Sequence, residues 1–302
     1  MKSGLYPEIP LTAWASRRLG RPVKWTCDRS EAHLADDQAR DMVMDAELAL
    51  DSDGTFRGFR LSANANAGAF IAMRAFVTPP GIAGSLCGPY ALRAVHGQAV
   101  AVLTNTVPVS SYRGPARAPV TYVLERIIDI AARELGIDAS EIRRRNMIPA
   151  TSMPYATPLN AVYDCGEFEQ VLDKGLIKAD YPGFAARRDE AKARGRLRGI
   201  GICTSVDTSA PPTPETAEVR FDPQGSVIIL VGSTAQGQSH ETVYTQIVAG
   251  ALGLDAATIG VVEGDTERLA WGEGTGASRT ATIGGGALTK AVDKVVAKGK
   301  RI

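Results

Sequence analysis

Apolar residues recur every three or four positions in three stretches of the chain, a spacing that predicts amphipathic helices. These stretches are residues 7–19, 118–135 and 287–300. Gly20 and Gly136 follow the first two stretches, and glycine is a typical residue just past the end of a helix. Asp138 and Glu141 resemble a capping box and predict a further short helix through Arg145. A charged segment, residues 179–198, predicts another helix.

Two pairs of segments predict β-hairpins. In each pair, a first strand that begins Ala-Glu is followed by a turn with glycine and by an apolar return strand. The paired strands are residues 46–50 with 56–69, and residues 217–221 with 227–231. The second pair repeats the order of the first. This repetition suggests two related domains.

The alternation of helical and strand-like segments predicts a mixed α/β fold of the α+β type rather than a helical bundle or a β-sandwich. With 302 residues the chain is long enough for two domains. Residues 147–158 are rich in proline, threonine and serine, and a charged helix follows, which indicates an inter-domain connection. The prediction is a first domain of residues 1–150, a connecting segment of 151–198 and a second domain of 199–302.

The charge balance disfavours several classes of partner. The chain has 34 Lys+Arg against 33 Asp+Glu, and only 6% aromatic residues, so neither a nucleic acid nor an anionic membrane is expected to bind. The cysteines lie far apart and lack the spacing of a zinc site or an iron–sulfur cluster; they are Cys27, Cys87, Cys165 and Cys203. No leader and no apolar run of about 20 residues is present, which predicts a cytoplasmic protein.

Three loops, each placed before a predicted helix, carry candidate chemistry. Ser111–Arg117 contains two arginines, which together with a helix N-terminus could bind an anion; the alternative is a solvated loop. Thr234–His240 has small residues that expose backbone N–H groups, and Gln238 can both donate and accept hydrogen bonds. His240 stands alone, so it is interpreted as a capping or packing residue rather than a metal ligand.

The third loop, Gly272–Ala287, is rich in glycine and hydroxyl side chains and predicts a cradle for phosphate or another anion. It lacks the Gly-Lys-Ser/Thr of the P-loop and does not have the dinucleotide-binding arrangement of glycines. One such loop is weak evidence for an anion site. Two in one domain, each opening a helix, favour a bound phosphate or pterin.

Short motifs along the whole chain strengthen this interpretation. They are Gly20-Arg-Pro-Val-Lys-Trp25, Asp28-Arg-Ser-Glu31, Asn105-Thr-Val-Pro108, Ser111-Tyr-Arg-Gly114, Glu134-Leu-Gly136, Arg143-Arg-Arg-Asn146, Gln238-Ser-His-Glu-Thr242, Val261-Val-Glu-Gly-Asp-Thr266 and Gly276-Ala-Ser-Arg279. In this order they resemble the large, molybdopterin-binding subunit of the xanthine dehydrogenase and aldehyde oxidase family, and especially its carbon monoxide dehydrogenase-like branch.

The resemblance implies two successive molybdopterin-binding domains, with antiparallel hairpins and packed helices. It also implies an oxidoreductase that hydroxylates an aldehyde or an aromatic N-heterocycle with oxygen from water. The implied cofactor is molybdenum held by molybdopterin, in its cytosine dinucleotide form or a related one. Implied partners are an iron–sulfur subunit and an FAD subunit on separate chains, in a dimer of heterotrimers.

By the same resemblance, Gln238 hydrogen-bonds the cofactor near the metal, and Ser239 replaces the last glycine of the family's Gly-Gln-Gly. Ala277, Ser278 and Thr280 match the loop that holds the pterin and its phosphates. No side chain of the chain is expected to bind the metal directly.

The substrate side is implied to include Arg113, Pro115 and Ser3, and Arg113 also faces the cofactor. Pro115 stands where purine-oxidising relatives have an aromatic ring, which argues against a purine substrate. The loop has no cysteine, which argues against a copper–molybdenum centre. Lys2 matches the lysine of the family's Gly-Gly-x-Phe-Gly-x-Lys loop, whose Phe-Gly part is absent here.

The family's general base is a glutamate in a Gly-Glu-Pro segment that would lie beyond residue 302, and Glu273, in Gly-Glu-Gly, does not replace it. The catalytic residue therefore stays unknown, and the chain is expected to be an internal piece that does not turn over alone. Two alternatives remain: a non-catalytic cofactor-binding subunit of a molybdoenzyme complex, and an unrelated phosphate-binding module. The order of the motifs disfavours the second.

Overall fold

The computed structural model has a mixed fold of helices and short sheets, as the sequence predicts. It describes residues 6–72, 75, 81–82, 85–207, 209 and 213–301. The chain forms two compact units, a first unit up to Asp207 and a second unit after it. None of the helices in the described ranges is long and apolar enough to cross a membrane.

The first unit is built on a three-stranded sheet and the helices around it. Its helices are α1 (Glu8–Leu19), α2 (Arg29–Ala35), α3 (Arg117–Leu135), α4 (Ala139–Asn146), α5 (Phe168–Lys178) and α6 (Phe184–Ala193). Its strands are β1 (Met42–Leu50), β2 (Phe56–Gly68), β3 (Ala94–Leu103), β4 (Tyr155–Ala156) and β5 (Val162–Tyr163), with a 3₁₀ turn at Ala150–Ser152.

The predicted first hairpin is confirmed, since β1 and β2 pair antiparallel. A third strand, β3, was not predicted and pairs with β2 in parallel. Alternate residues of β2 face the helices, so Phe59 and Leu61 are buried with Leu124 and Ile128 of α3 in one apolar core. Burying a side chain of this size stabilises the fold by about 1.5–3 kcal/mol. The sheet and α3 therefore form the framework of the first unit.

Helix α1 is confirmed, and it ends at Gly20, whose φ of 65° suits glycine. Its apolar face does not join the core, because none of the residues of α1 is buried. Leu11, Trp14 and Leu19 are each more than half exposed. Amphipathic spacing thus predicted the helix correctly without identifying a partner for its apolar face.

The charged helix predicted over residues 179–198 is confirmed, but it is shorter, since α6 spans Phe184–Ala193. Helix α5 precedes it and was not predicted; the two helices are separated by a turn in which Asp180 has a φ of 46° and the Gly183 N–H donates to the Asp180 carbonyl. Pro182 has no N–H to donate and marks this break. Leu172 of α5 belongs to the core of the first unit. The domain limits given above stay a prediction, with compact packing extending to Asp207.

The second unit has the same strand order as the first. Its strands are β6 (Ala217–Phe221), β7 (Val227–Val231) and β8 (Ile259–Glu263), and its helices are α7 (His240–Leu252) and α8 (Gly285–Gly299), with a 3₁₀ turn at Ala256–Thr258 and a π-helical turn at Thr280–Gly284. The predicted second hairpin is confirmed by the antiparallel pairing of β6 and β7, and β8 joins β7 in parallel. Apolar side chains of β7, α7 and α8 form its core.

The start of the last helix differs from the sequence prediction. Helical structure begins with the π-helical turn at Thr280, so Gly284 and Gly285, predicted to belong to the anion loop, are helical. Close packing explains Gly284, because an ideal Cβ there would lie 2.9 Å from the Tyr244 hydroxyl. Since helical structure begins earlier than predicted, the loop is shortened to residues 272–279.

Tyr163 gives the first unit a testable dependence on alkaline pH. Burial raises its pKa from 10.0 to about 12, and its hydroxyl donates to the Gly88 carbonyl at 3.0 Å. The folded state therefore keeps this proton longer than the unfolded chain does. The stabilisation of the folded state by the protonated Tyr163 hydroxyl is complete below pH 10 and is lost as the pH rises to about 12.

We expect the free energy of unfolding of the wild type to fall by about 1–2 kcal/mol more than that of Tyr163→Phe over this interval, after allowance for the partial exposure of the ring. Denaturant unfolding at a series of pH values measures the difference. Tyr122→Phe, which removes an exposed hydroxyl, is the control. Parallel pH curves for wild type and Tyr163→Phe would contradict the prediction.

Candidate functional site

Two loops of the second unit meet where their backbones cross at Gly232 and Gly272. An ideal Cβ on Gly232 would lie 2.3 Å from Gly272 Cα, and one on Gly272 would lie 2.4 Å from Gly232 Cα. Only glycine permits such backbone contact. The crossing places the loop after β7 beside the loop before the π-helical turn, and the N–H of Thr234 donates to Thr275 Oγ1 at 3.1 Å.

Both loops contain residues in the left-handed backbone conformation. Ser239 has a φ of 63°, Ala277 of 47° and Ser278 of 58°. This region is uncommon for residues with a Cβ, and such backbone conformations cost on the order of 1–3 kcal/mol, so the surrounding contacts must hold them. Three of the predicted cofactor residues are therefore held in strained conformations. Gly237 and Gly276 have open space on the side where a Cβ would stand.

Gln238 lies exposed in the first of these loops. Its side-chain oxygen accepts a hydrogen bond from the N–H of Gln236 at 2.5 Å. With that oxygen engaged, the amide nitrogen offers its two donors to a ligand. Helix α7 begins directly after the loop and has no side-chain cap, so backbone N–H groups of its first turn are available to an acceptor.

His240 packs beneath this loop in a buried polar network. Its Nδ1 lies 2.8 Å from Glu263 Oε1, which also accepts a hydrogen bond from Ser233 Oγ at 2.7 Å. The Tyr244 hydroxyl lies 2.9 Å from the same Ser233 oxygen, and burial raises the pKa of Tyr244. Among the described residues no group of three or more histidine, cysteine, aspartate or glutamate side chains could hold a metal ion. This geometry supports the packing interpretation of His240.

Arg279 fixes the second loop from beneath, and sequence reasoning did not single it out. The residue is 4% exposed; its guanidinium is ion-paired with the buried carboxylate of Glu215 and donates to the Gly274 carbonyl at 2.9 Å. It also donates to the carbonyl of Pro214. Residues 213–215 and 274–279 are thereby joined. An arginine alone in a loop of small residues was the only sequence signal for this contact.

Two buried polar atoms of this cluster have no hydrogen-bond partner in the described part of the chain: Arg279 Nε and Thr213 Oγ1. A buried donor left unsatisfied costs about 1–3 kcal/mol, so such atoms call for a partner. Together with the open glycines and the uncapped helix start, they fit a ligand that carries phosphate oxygens and amide-like ring edges, as a molybdopterin does.

The predicted residues of the second unit fall on these two loops. Gln238 and Ser239 lie on the first; Ala277 and Ser278 are exposed on the second, and Thr280 follows at the start of the π-helical turn. Thr280 Oγ1 donates to Thr275 Oγ1 at 3.3 Å, and Thr275 in turn contacts Thr234. The structure thus brings the predicted cofactor residues onto one pair of adjoining loops, while their role in binding stays a prediction.

The predicted substrate-side residues belong to the first unit. Arg113 is exposed and Pro115 half-buried, in the loop that precedes α3. Arg117, the second arginine of the predicted anion loop, forms an ion pair with Asp207 at 2.6 Å. Gly114 has a φ of 73°, which allows the turn between Arg113 and Pro115. Ser3 and Lys2 lie outside the described residues.

Comparison with known proteins identifies a cofactor-binding family over most of the chain. Residues 1–147 and 174–302 each match the family described as the molybdopterin cofactor-binding domain. The 6-hydroxypseudooxynicotine dehydrogenase complex subunit gamma of Paenarthrobacter nicotinovorans is 35% identical over 307 residues, covering 100% of this chain and 39% of the relative. The carbon monoxide dehydrogenase large chain of Hydrogenophaga pseudoflava is 36% identical, covering 100% of this chain and 40% of the relative.

Solved structures agree with these relatives. Quinoline 2-oxidoreductase from Pseudomonas putida 86 superimposes with a TM-score of 0.88 at 32% identity, covering 97% of this chain and 39% of that protein's chain. The chain thus spans about two fifths of the length of the relatives it matches. The resemblance stated from the motifs is confirmed, and the chain belongs to the xanthine dehydrogenase and aldehyde oxidase family of molybdenum hydroxylases, in the part of the large subunit made of molybdopterin cofactor-binding domains.

Proposed function

We propose that this chain is the cofactor-holding part of an enzyme that hydroxylates an aromatic N-heterocycle or an aldehyde, with oxygen taken from water. The observation that carries the proposal is the pair of loops whose backbones cross at Gly232 and Gly272. They carry residues in left-handed conformations and open space at Gly237 and Gly276, and two buried polar atoms of the same cluster have no partner among the described residues. The N-heterocycle is favoured because quinoline appears in the name of a relative with the same fold. Pro115 removes the aromatic wall that a purine would need.

The proposed cofactor is molybdopterin in its cytosine dinucleotide form, which would supply the two-electron redox chemistry of its molybdenum. Gln238 would donate its amide N–H groups to it, since its oxygen is engaged by Gln236. Ser239 and the start of α7, with Ala277, Ser278 and Thr280, would receive the pterin and phosphates through backbone N–H and hydroxyl groups. Arg113, Pro115 and Ser3 would face the substrate, and Arg113 the cofactor as well.

The whole enzyme needs groups that these residues do not supply. A glutamate base, an iron–sulfur subunit and an FAD subunit would complete it, in a cytoplasmic dimer of heterotrimers. By itself the 302-residue chain is expected to hold cofactor without turning over substrate.

Gln238→Glu tests the cofactor role with the smallest change of shape. The glutamate keeps an oxygen for the N–H of Gln236 but loses both donors. We expect the molybdenum content of protein purified from a molybdopterin-producing host to fall about tenfold, the effect of losing one or two hydrogen bonds worth about 1 kcal/mol each. Gln224→Glu, at the exposed turn between β6 and β7, should retain molybdenum. Equal metal content in Gln238→Glu and wild type would refute the assignment.

A further inference from the structure

Two distant segments of the first unit pair just before the loop of residues 111–115, here called the substrate loop. The N–H of Gln38 donates to the Pro108 carbonyl at 2.9 Å, and the N–H of Ser110 donates to the Gln38 carbonyl at 3.0 Å. The Gln38 amide side chain also donates to the Val107 carbonyl at 3.1 Å. The start of the substrate loop is therefore fixed by residues about 70 positions earlier in the sequence.

Arg40 lies two residues beyond this pairing and turns toward the substrate loop. Its φ of 61° is in the left-handed region, which a residue with a Cβ rarely adopts. The guanidinium donates to the carbonyl of Arg113 and lies 5.0 Å from the centre of the Tyr112 ring. An ideal Cβ on Gly114 would be 3.9 Å from Arg40 Nη2. One side chain thus meets three consecutive residues of the loop.

We infer that Arg40 is a positioning residue that holds the substrate loop in the orientation needed for substrate. The inference rests on the proposed function, in which Arg113 and Pro115 face the substrate. Arg40 donates to the backbone carbonyl of Arg113 and so fixes the backbone position of that residue. The contact does not involve the Arg113 guanidinium, which can face the substrate. The cation–π contact with Tyr112 holds the preceding residue in the same way.

Trypsin provides a direct measure of loop order, because the Arg113–Gly114 bond is itself a cleavage site. In the 302-residue chain, Arg40→Ala is expected to speed cleavage at this bond about tenfold, through loss of one hydrogen bond and one cation–π contact. Arg40→Gly suits the left-handed backbone but has no guanidinium, so it should match Arg40→Ala. Arg40→Lys, which keeps a cation over Tyr112 and one donor, should give a smaller increase.

Two controls separate loop release from general unfolding. Arg60→Ala removes an exposed arginine of β2 that pairs with Glu47 of β1, and it should leave cleavage at Arg113–Gly114 unchanged. Cleavage after Arg143, whose side chain is fully buried in the unit, reports opening of the unit as a whole and should not change in Arg40→Ala. Wild-type cleavage rates at Arg113–Gly114 in both Arg40→Ala and Arg40→Gly would overturn the inference.

Kinetics of the assembled enzyme, with this sequence in its large subunit, test the consequence for substrate. Arg40→Ala should lower kcat/KM about tenfold without changing molybdenum content, and Arg40→Lys should restore most of it. Faster cleavage with unchanged kcat/KM would overturn the positioning role and, with it, the substrate side of the loop. Absence of molybdenum-dependent turnover in the wild-type assembly would overturn the proposed function instead, and leave the cleavage result standing as a statement about the loop alone.

Discussion

Replacing Arg143 by methionine is expected to lower the free energy of unfolding of the first unit by about 3–5 kcal/mol, because it leaves a buried carboxylate without its counter-charge. Arg143 is fully buried, and its guanidinium donates to Glu125 Oε2 and to Asp129 Oδ1, each at 2.8 Å. Glu125 is itself 5% exposed. Since methionine fills a similar volume, the loss measures the charge interaction rather than a cavity.

The network around Arg143 joins three separate parts of the unit. Arg143 lies on α4, where it donates to the Ala139 carbonyl at 2.8 Å, and it joins this helix to α3 and, through the Ile202 carbonyl at 3.1 Å, to the segment after α6. The Tyr90 hydroxyl donates to Glu125 Oε1 at 2.6 Å; burial, and then the neighbouring carboxylate, raises the pKa of Tyr90 well above 10.0. Tyr90 therefore remains a protonated donor to Glu125 at neutral pH.

Urea unfolding of the purified chain measures the effect. Arg188→Met is the matched control, since Arg188 and its partner Asp189 are both more than half exposed, and we expect a change of about 1 kcal/mol or less. Arg143→Met with Glu125→Leu should recover most of the loss, because the buried carboxylate is removed together with its counter-charge and the one carboxylate that stays unpaired, Asp129, is 31% exposed. Equal losses in Arg143→Met and Arg188→Met would contradict this account of the network.

Periodicity along the sequence was sufficient to predict the elements that depend on near neighbours. The stripe of α3 was predicted because Leu124 and Ile128 are four positions apart, and both are buried against the sheet. The hairpins could be predicted because each pairs two segments across a short turn. By contrast, β3 and β8 join their sheets in parallel over long crossovers, which the alternation of residues does not encode.

In the candidate site, too, the positions of short motifs could be predicted from the sequence, whereas contacts between distant residues could not. Motif resemblance placed Gln238, Ala277 and Ser278 on loops before helices, and the structure has them there. It did not predict that Glu215 would neutralise Arg279, since 64 positions separate the two residues and the contact depends on the crossing of two glycines. Nor did it distinguish Arg143 from the two arginines that follow it; only packing shows which one is buried.

Replacing Arg279 by methionine is expected to lower the free energy of unfolding of the second unit by about 3–5 kcal/mol and to reduce molybdenum content with it, because Glu215 would be left charged in the core. Arg220→Met is the control: Arg220 pairs with Glu218, and both side chains are over 40% exposed, so a change of about 1 kcal/mol or less is expected. Urea unfolding and metal analysis of the same preparations provide the two measurements.

The double variant Arg279→Met with Glu215→Leu separates the two roles of Arg279. Removing both charges should recover most of the stability, as for other buried pairs. Molybdenum content should nevertheless stay low, because the Nε–H donor, which has no partner among the described residues, is lost with the arginine. If molybdenum returned together with stability, Arg279 would act on the cofactor only by holding residues 274–279 in place. Since the charge of Arg279 is already balanced by Glu215, we expect anion binding by these loops, if the proposed function holds, to depend on directed N–H donors more than on net positive charge.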